Sequence, residues 1–427
     1  MRSLVLAAAV AVLAPALADA NGRAPLANGV TFHPNDPHSL YVRSTFGLLV
    51  SHDDGCTFNW VCEQAIGYGG EFDPKYAVAK DGTIFATTFK GLRVSRDGGC
   101  SWQTVTEEIW VDALDIAPNG DVWIATAETA AASDVYRSKD NGLTFEHRGM
   151  LSPTIWWKSV EVAPTDSQRI YITGYQVAGP PLPDGGTPPP QAHLLRSDNG
   201  GDTWDEQPLA NVMFNATPIV LVRAVHPTNP DILFMSSLGA NGGGDRLYRS
   251  TDGGATFKEV LVTTDTIRDV IFHGDKVLVA SPTGSFQSTD GGATFAALTG
   301  SPQLACLGDH GGEVIGCGAN WQPDFMAVAR TADASAWAKV FRFVELAGTL
   351  TCPPGTNSQV ECDKLWPALQ EQFAATGPTC GALPEAPPDP PPPKHGGGCC
   401  DVGTGAPLGA CTLAVLVMLV VLRRRQR

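Results

Sequence analysis

Few residue patterns in this 427-residue chain could do chemistry, and carboxylates recur most regularly. Asp53, Asp97, Asp140, Asp252 and Asp290 each follow a serine by two positions and precede a threonine or serine by four. Glycoside hydrolysis needs two carboxyls about 5–10 Å apart on one surface. An aspartate among hydroxyls and glycines instead hydrogen-bonds its own turn, and this spacing favours the turn. A second pattern mixes rings with charges: Trp110, Asp112, Trp156, Trp157 and Lys158, with Arg268 and Asp269 further on. Aromatic faces beside mixed charges suit binding of a carbohydrate or a peptide. The competing reading packs the tryptophans between sheets and pairs the charges. His33 and His226 sit in Pro-flanked turns and no C-x-x-C pair occurs, so neither a metal nor a cofactor is expected.

Eight of the eleven cysteines lie between the two ends of the chain: Cys56, Cys62, Cys100, Cys306, Cys317, Cys352, Cys362 and Cys380. Cys306 and Cys317 flank the turn Asp309-His310-Gly311-Gly312 almost symmetrically, which predicts a cross-strand disulfide. A Cys56–Cys62 bridge is disfavoured. An extended chain between them spans roughly 20 Å, beyond the reach of about 7 Å that a disulfide allows. Cys352, Cys362 and Cys380 are expected to staple their segment to itself and to an early repeat through Cys100 or Cys56, with a short helix at Leu365–Phe373.

The elements that position all these residues are repeats. Copies of Ser-x-Asp-x-Gly-x-Thr-(Phe/Trp) start at Ser51, Ser95, Ser138, Ser197, Ser250 and Ser288; the fourth carries Asn199 for Asp, and a worn seventh starts at Thr331. The period is near 44 residues, about that of a four-stranded propeller blade. Before each copy stand short β-rich runs bounded by Pro, Asn, Asp and Gly, such as Val30–Pro34 with Leu40–Val42, and Val160–Pro164 with Ile170–Ile172. The variable residue after the second glycine position (Cys56, Leu143, Asp202, Ala255) is expected to point outward.

The motif resembles the Asp-box of BNR-type β-propellers. The resemblance implies an all-β fold: a seven-bladed β-propeller of four-stranded antiparallel blades, with Asp-box c–d hairpins. In such a fold the b–c and d–a loops share one face and the Asp-boxes occupy the other. Two insertions, residues 175–193 and 238–246, then enlarge only the first face. Aligned innermost strands bring Asp112, Lys158 and Arg268 to the channel mouth, with Asp269 and either Glu71 or Asp73 beside them.

The two ends speak of export. Arg2, the apolar run Leu4–Leu17 and Ala18-Asp19-Ala20 read as a signal peptide over 1–20. The expected domains are the propeller at 21–345, a Cys-containing segment at 346–383, a Pro/Gly-rich linker at 384–398 and a tail at 399–427. The tail runs Cys399-Cys400, small residues, apolar Leu408–Leu422, then Arg423-Arg424-Arg425. Fifteen apolar residues fall short of the roughly 20 of a comfortable helical span, and the arginines would hold that end cytoplasmic. This order resembles the MYXO-CTERM sorting tail of myxobacterial surface proteins. The resemblance implies cleavage near Cys399 or Cys400 by a sortase-like membrane protease and display on the cell envelope. A plain tail anchor is the alternative.

A net charge of −15 with no basic patch speaks against nucleic acid. The Arg-Ile-Pro strand of sialidases is absent, and xyloglucanase-like hydrolases need a second propeller. The expected function is therefore a non-enzymatic binding or scaffold protein with a glycan or protein ligand, as in photosystem assembly-factor and sortilin-like propellers. A glycoside hydrolase of sialidase or xyloglucanase type is the alternative.

Overall fold

A computed structural model describes residues 24–380, apart from 70–71, 107–108, 130, 178–184, 187–188, 215–216, 240–242, 319 and 321–322. The signal peptide, linker, tail, Cys399, Cys400 and Glu71 lie outside the described residues.

The β-rich runs form seven antiparallel sheets, each built from four consecutive strands, and the chain is a seven-bladed β-propeller. In the first blade strand a is Ala27–His33, b Asp36–Ser44, c Gly47–Ser51 and d Asn59–Cys62. The innermost strands of the other blades are Tyr76–Val78, Val111–Ile116, Ile155–Ala163, Val220–Val225, Asp269–His273 and Leu304–His310. Middle strands stack between neighbouring sheets and are wholly buried, as in Ile84–Thr88, Val122–Thr126 and Leu233–Ser237. Outer strands meet solvent on one side and shrink to two exposed residues in Gln103–Thr104 and Glu146–His147.

Each repeated motif is a c–d turn that satisfies itself. In the fifth copy Ser250 Oγ donates to Asp252 Oδ1 at 2.8 Å and accepts from the Gly254 N–H at 2.9 Å, while the Thr256 N–H donates to Asp252 Oδ1 at 2.9 Å. Asn199 substitutes without loss, because its amide oxygen accepts from the Thr203 N–H at 2.9 Å. The two residues after the aspartate are left-handed, φ 68° and 89° at Gly253 and Gly254. The second glycine has another duty: a Cβ on Gly201 would stand 2.6 Å from Trp123 of the preceding blade. Leu143 is exposed as expected, but Cys100 at the same turn position is covered by its disulfide partner segment.

An arginine just before the motif ties blade to blade. Arg137 donates to the Gly200 carbonyl at 3.1 Å and Arg196 to the Gly253 carbonyl at 3.1 Å. Arg330 of the seventh blade donates to the Asp54 carbonyl of the first, closing the ring with the same contact.

The segment after the seventh blade completes closure. Gly348–Thr349 adds a fifth strand, parallel to Asn59–Trp60, on the outer edge of the first blade. Helix Asn357–Phe373 follows, eight residues longer at its start than the sequence suggests. Its cysteines correct one expectation: the segment is not stapled to itself. Cys352, Cys362 and Cys380 bridge to Cys100, Cys62 and Cys56. Cys62 was free to pair there because its strand carries it away from Cys56 to the opposite end of the blade. Cys306–Cys317 forms across strands a and b as expected. Four disulfides mark a chain that folds in an oxidising compartment. Among the described residues no helix is long and apolar enough to cross a membrane.

Candidate functional site

Strand direction sorts the loops onto two faces. The Asp54 N–H donates to the His38 carbonyl, placing c–d turns beside a–b turns. The Ala127 N–H donates to the Trp110 carbonyl, placing b–c loops beside d–a loops on the other face.

On this second face the site residues near Trp110 come together. Phe72 and Trp110 arrive on d–a connections, Phe89 on the b–c turn of the second blade, and Trp156 and Tyr175 on paired strands of the fourth. Their rings form a contiguous row that starts as a triangle, since Phe72 also meets Trp110 at 6.3 Å. Centroids are 4.7 Å apart for Phe72–Phe89, 4.9 Å for Phe89–Trp110, 6.4 Å for Trp110–Trp156 and 6.0 Å for Trp156–Tyr175. Phe89 is 49% exposed and the others are half-buried. Lys158 supports the row from below: its ammonium pairs with the buried Asp112 and sits 4.7 Å from the centre of the Trp110 ring. That geometry combines an ion pair with a cation–π contact and fixes the tilt of the indole. Phe72, Phe89 and Tyr175 were not singled out by sequence, since a lone aromatic in a turn has no periodic signature.

Three candidates stand elsewhere. Trp157 is a correction: it is 1% exposed, packed between the third and fourth blades, with its indole N–H donated to the Met150 carbonyl at 3.0 Å. Adjacent residues on a strand face opposite ways, so exposing Trp156 buries Trp157. Arg268 is exposed ahead of the sixth blade's inner strand, and its carbonyl faces Arg223. Asp269 points into the channel, where it accepts from the Leu307 N–H of the seventh blade at 3.1 Å.

Besides Asp269, the channel holds charges that sequence did not single out. Inner strands contribute Lys75, Glu161, Arg223 and Asp269 around a space of about 130 Å³, continuous in its lining with one of about 240 Å³ beside Arg43 and Tyr76. Asp115 lies on the same wall. It accepts from the Val162 N–H at 2.7 Å and from the Ile116 N–H at 2.8 Å. Burial pushes the Asp115 carboxyl up to about 6. Burial and then the charge of Asp115 push Glu161 well above the usual carboxylate range. Burial raises Asp269 and lowers Lys75 and Arg223. The channel mouth on the turn face is a cavity of about 750 Å³ whose lining includes Phe32, His33, Lys80, Asn119, Lys139 and His310. Its polar groups are largely engaged: Lys80 donates to the Pro118 carbonyl, His310 contacts the Pro37 carbonyl and Asn141 donates to Asp81. Among the described residues no group of side chains could hold a metal ion.

Exposed apolar side chains distinguish the faces. Of the seven large hydrophobics exposed among the described residues, Phe89, Leu151, Met213, Phe214 and Val262 lie on the b–c/d–a face.

No protein family matches this chain, and no curated protein does. Similarity is found among solved structures. A puromycin-hydrolyzing peptidase from Mycobacterium tuberculosis is 13% identical with a TM-score of 0.52, over 76% of this chain and 54% of that one. The extracellular domain of a hybrid two-component system from B. thetaiotaomicron is 12% identical with a TM-score of 0.51, over 72% of this chain and 38% of that one. A xyloglucanase from Xanthomonas campestris is 15% identical with a TM-score of 0.47, over 73% of this chain; the chain spans 60% of the xyloglucanase's length. Likeness at these identities is likeness of fold.

Proposed function

We propose that this chain is an exported, envelope-displayed Asp-box propeller that binds a ligand on its b–c/d–a face and performs no catalysis. The observation that carries the reading is the contiguous set of rings from Phe72 to Tyr175, with Phe89 exposed, on the face that also carries Leu151, Met213, Phe214 and Val262. A patch of that kind marks an interaction surface, while the turns of the opposite face satisfy their own polar groups. Trp110, Asp112, Trp156 and Lys158 form the site; Arg268 and Asp269 stand apart from it, at the channel. A glycan and peptide array probed with the protein beside its Phe89→Ala variant tests this. Hits that all survive Phe89→Ala and vanish on changing Lys80 and Lys139 would move the site to the other face.

Display rests on the two ends of the chain: a signal peptide at 1–20, and a tail at 399–427 cut near Cys399 or Cys400 by a sortase-like protease. Replacing both cysteines by alanine should leave an unprocessed protein in the inner membrane. Normal surface delivery of that double variant would leave the plain tail anchor.

A second reading, a glycoside hydrolase, is favoured by one observation, the raised carboxyls of Asp115 and Glu161 in the channel. Both Asp115 oxygens already accept backbone N–H groups, which makes it a structural carboxylate. Release of reducing ends from a polysaccharide, abolished by Glu161→Gln, would establish the hydrolase instead.

A further inference from the structure

We infer that the ligand of the aromatic face is a neutral glycan several sugars long, laid along the row from Phe72 to Tyr175. The inference rests on the binding reading above and names its ligand. Three observations lead to it.

The first is the shape of the row. Phe72, Phe89 and Trp110 cluster with centroids 4.7–6.3 Å apart, and Trp156 and Tyr175 extend that cluster in series by steps of 6.4 Å and 6.0 Å. The cluster with its extension is longer than a single sugar, so it matches a chain of them. Pyranose rings present apolar C–H faces with hydroxyls at the edge, and such faces stack on aromatic rings.

The second is the scarcity of free charge among the described residues. Lys158 is held by Asp112 and by the Trp110 ring, and Glu128 accepts from the Trp110 N–H at 3.2 Å. Asp73, next to Phe72, accepts from the Asn28 amide at 2.8 Å. Of the charged side chains flanking the rings, only Lys90 is exposed among the described residues. A polyanion needs several free cations, and a charged peptide needs countercharges of its own sign pattern. An uncharged polymer needs neither.

The third is that the rings themselves line neither of a peptide's usual footholds; the cavity of about 250 Å³ on the same face belongs to the fifth blade's loops, among them Leu238, Asp245 and Thr264. Peptides dock by adding to an open strand edge or by filling side-chain pockets. Strand ends, not edges, meet this face, and the cavities of the channel and of the opposite mouth are lined by other residues. What the row offers is a run of aromatic rings, inclined 45–63° from one to the next, on a rigid backing.

The test titrates the protein with neutral linear glucan, xylan and mannan oligosaccharides of increasing length, at low and high salt, by calorimetry and tryptophan fluorescence. At least one series should bind with affinity that rises with length and then levels off. Salt should leave it unchanged, because screened charges carry none of it. Phe89→Ala and Trp156→Ala should each weaken it about thirtyfold, as for an anchoring aromatic. Phe89 is half exposed, so that variant reports binding without disturbing the fold. If no neutral series binds but a peptide or an anionic polysaccharide does, with the same dependence on Phe89, the ligand class is wrong and the binding face stands. If a neutral glycan binds equally well to both variants, the row is not its site and the binding face falls with it. If nothing binds, both are overturned.

Discussion

Arg330 donates its guanidinium to the backbone carbonyl of Asp54, joining the last blade to the first. Arg137 and Arg196 make the same contact to Gly200 and Gly253 between consecutive blades. The carbonyl belongs to the left-handed stretch of each turn, which projects it sideways toward the neighbouring blade. A planar donor with several N–H groups can reach it while also pairing with a carboxylate, as Arg137 does with Glu146. Arg137→Ala should lower stability by about 1–2 kcal/mol, because it removes a buried donor while Arg148 still donates to the Gly200 carbonyl at 3.2 Å. Arg330→Ala, at a more exposed site, should cost about 1 kcal/mol. Urea unfolding of both variants measures the difference.

The clamp after the seventh blade should matter more than the hairpin bridge. Cys62–Cys362 lies between two other long-range bridges, Cys56–Cys380 and Cys100–Cys352, so the loop it closes runs from one bridge to the next. That loop is still longer than the 11-residue separation of Cys306–Cys317. Replacing Cys62 and Cys362 by alanine should cost roughly 3–5 kcal/mol, and replacing Cys306 and Cys317 about 2–3 kcal/mol. Melting temperatures of the two double variants should fall in that order.

Channel carboxyls predict an unusual pH response. Asp115 is raised to about 6 when folded, against about 4 unfolded. The folded state therefore holds its proton more tightly, and stability from this group declines as pH rises from about 4 to about 6. Glu161 shifts the same way, so its contribution is also lost as pH rises. Asp115→Asn carries no ionisable group there. Its stability relative to the parent should improve by on the order of 2 kcal/mol between pH 4 and pH 7. A constant difference across that range in denaturant unfolding would show that Asp115 is not raised.

Neighbouring tryptophans should respond in opposite ways. Trp157→Ala removes a fully buried ring between blades and should cost about 3–5 kcal/mol. Trp156→Ala should cost clearly less while weakening the ligand. Thermal melts and binding isotherms of the pair separate core from site.

Read alone, the sequence determined the repeat and nearly everything local to it. Ser, Asp and Gly at set spacing encode a turn whose side-chain hydrogen bonds close on its own backbone, so the c–d turns follow from the chain itself. With the Asp-box resemblance, so do the strand order and the two faces. The Cys306–Cys317 bridge is equally local, since both cysteines lie on one hairpin. Only tertiary structure decided the rest, because it depends on residues far apart in sequence. Cys62 meets Cys362 because the chain returns to the first blade's outer edge, and three cysteines cannot announce their partners by spacing. Trp156 and Trp157 look alike in sequence, and which of them is buried depends on where the third blade packs. The row from Phe72 to Tyr175 exists only once three blades stand side by side. Asp115 and Glu161 become a pair only when two inner strands face one channel. Contacts between blades are made by the ring, and the ring is written nowhere in a single repeat.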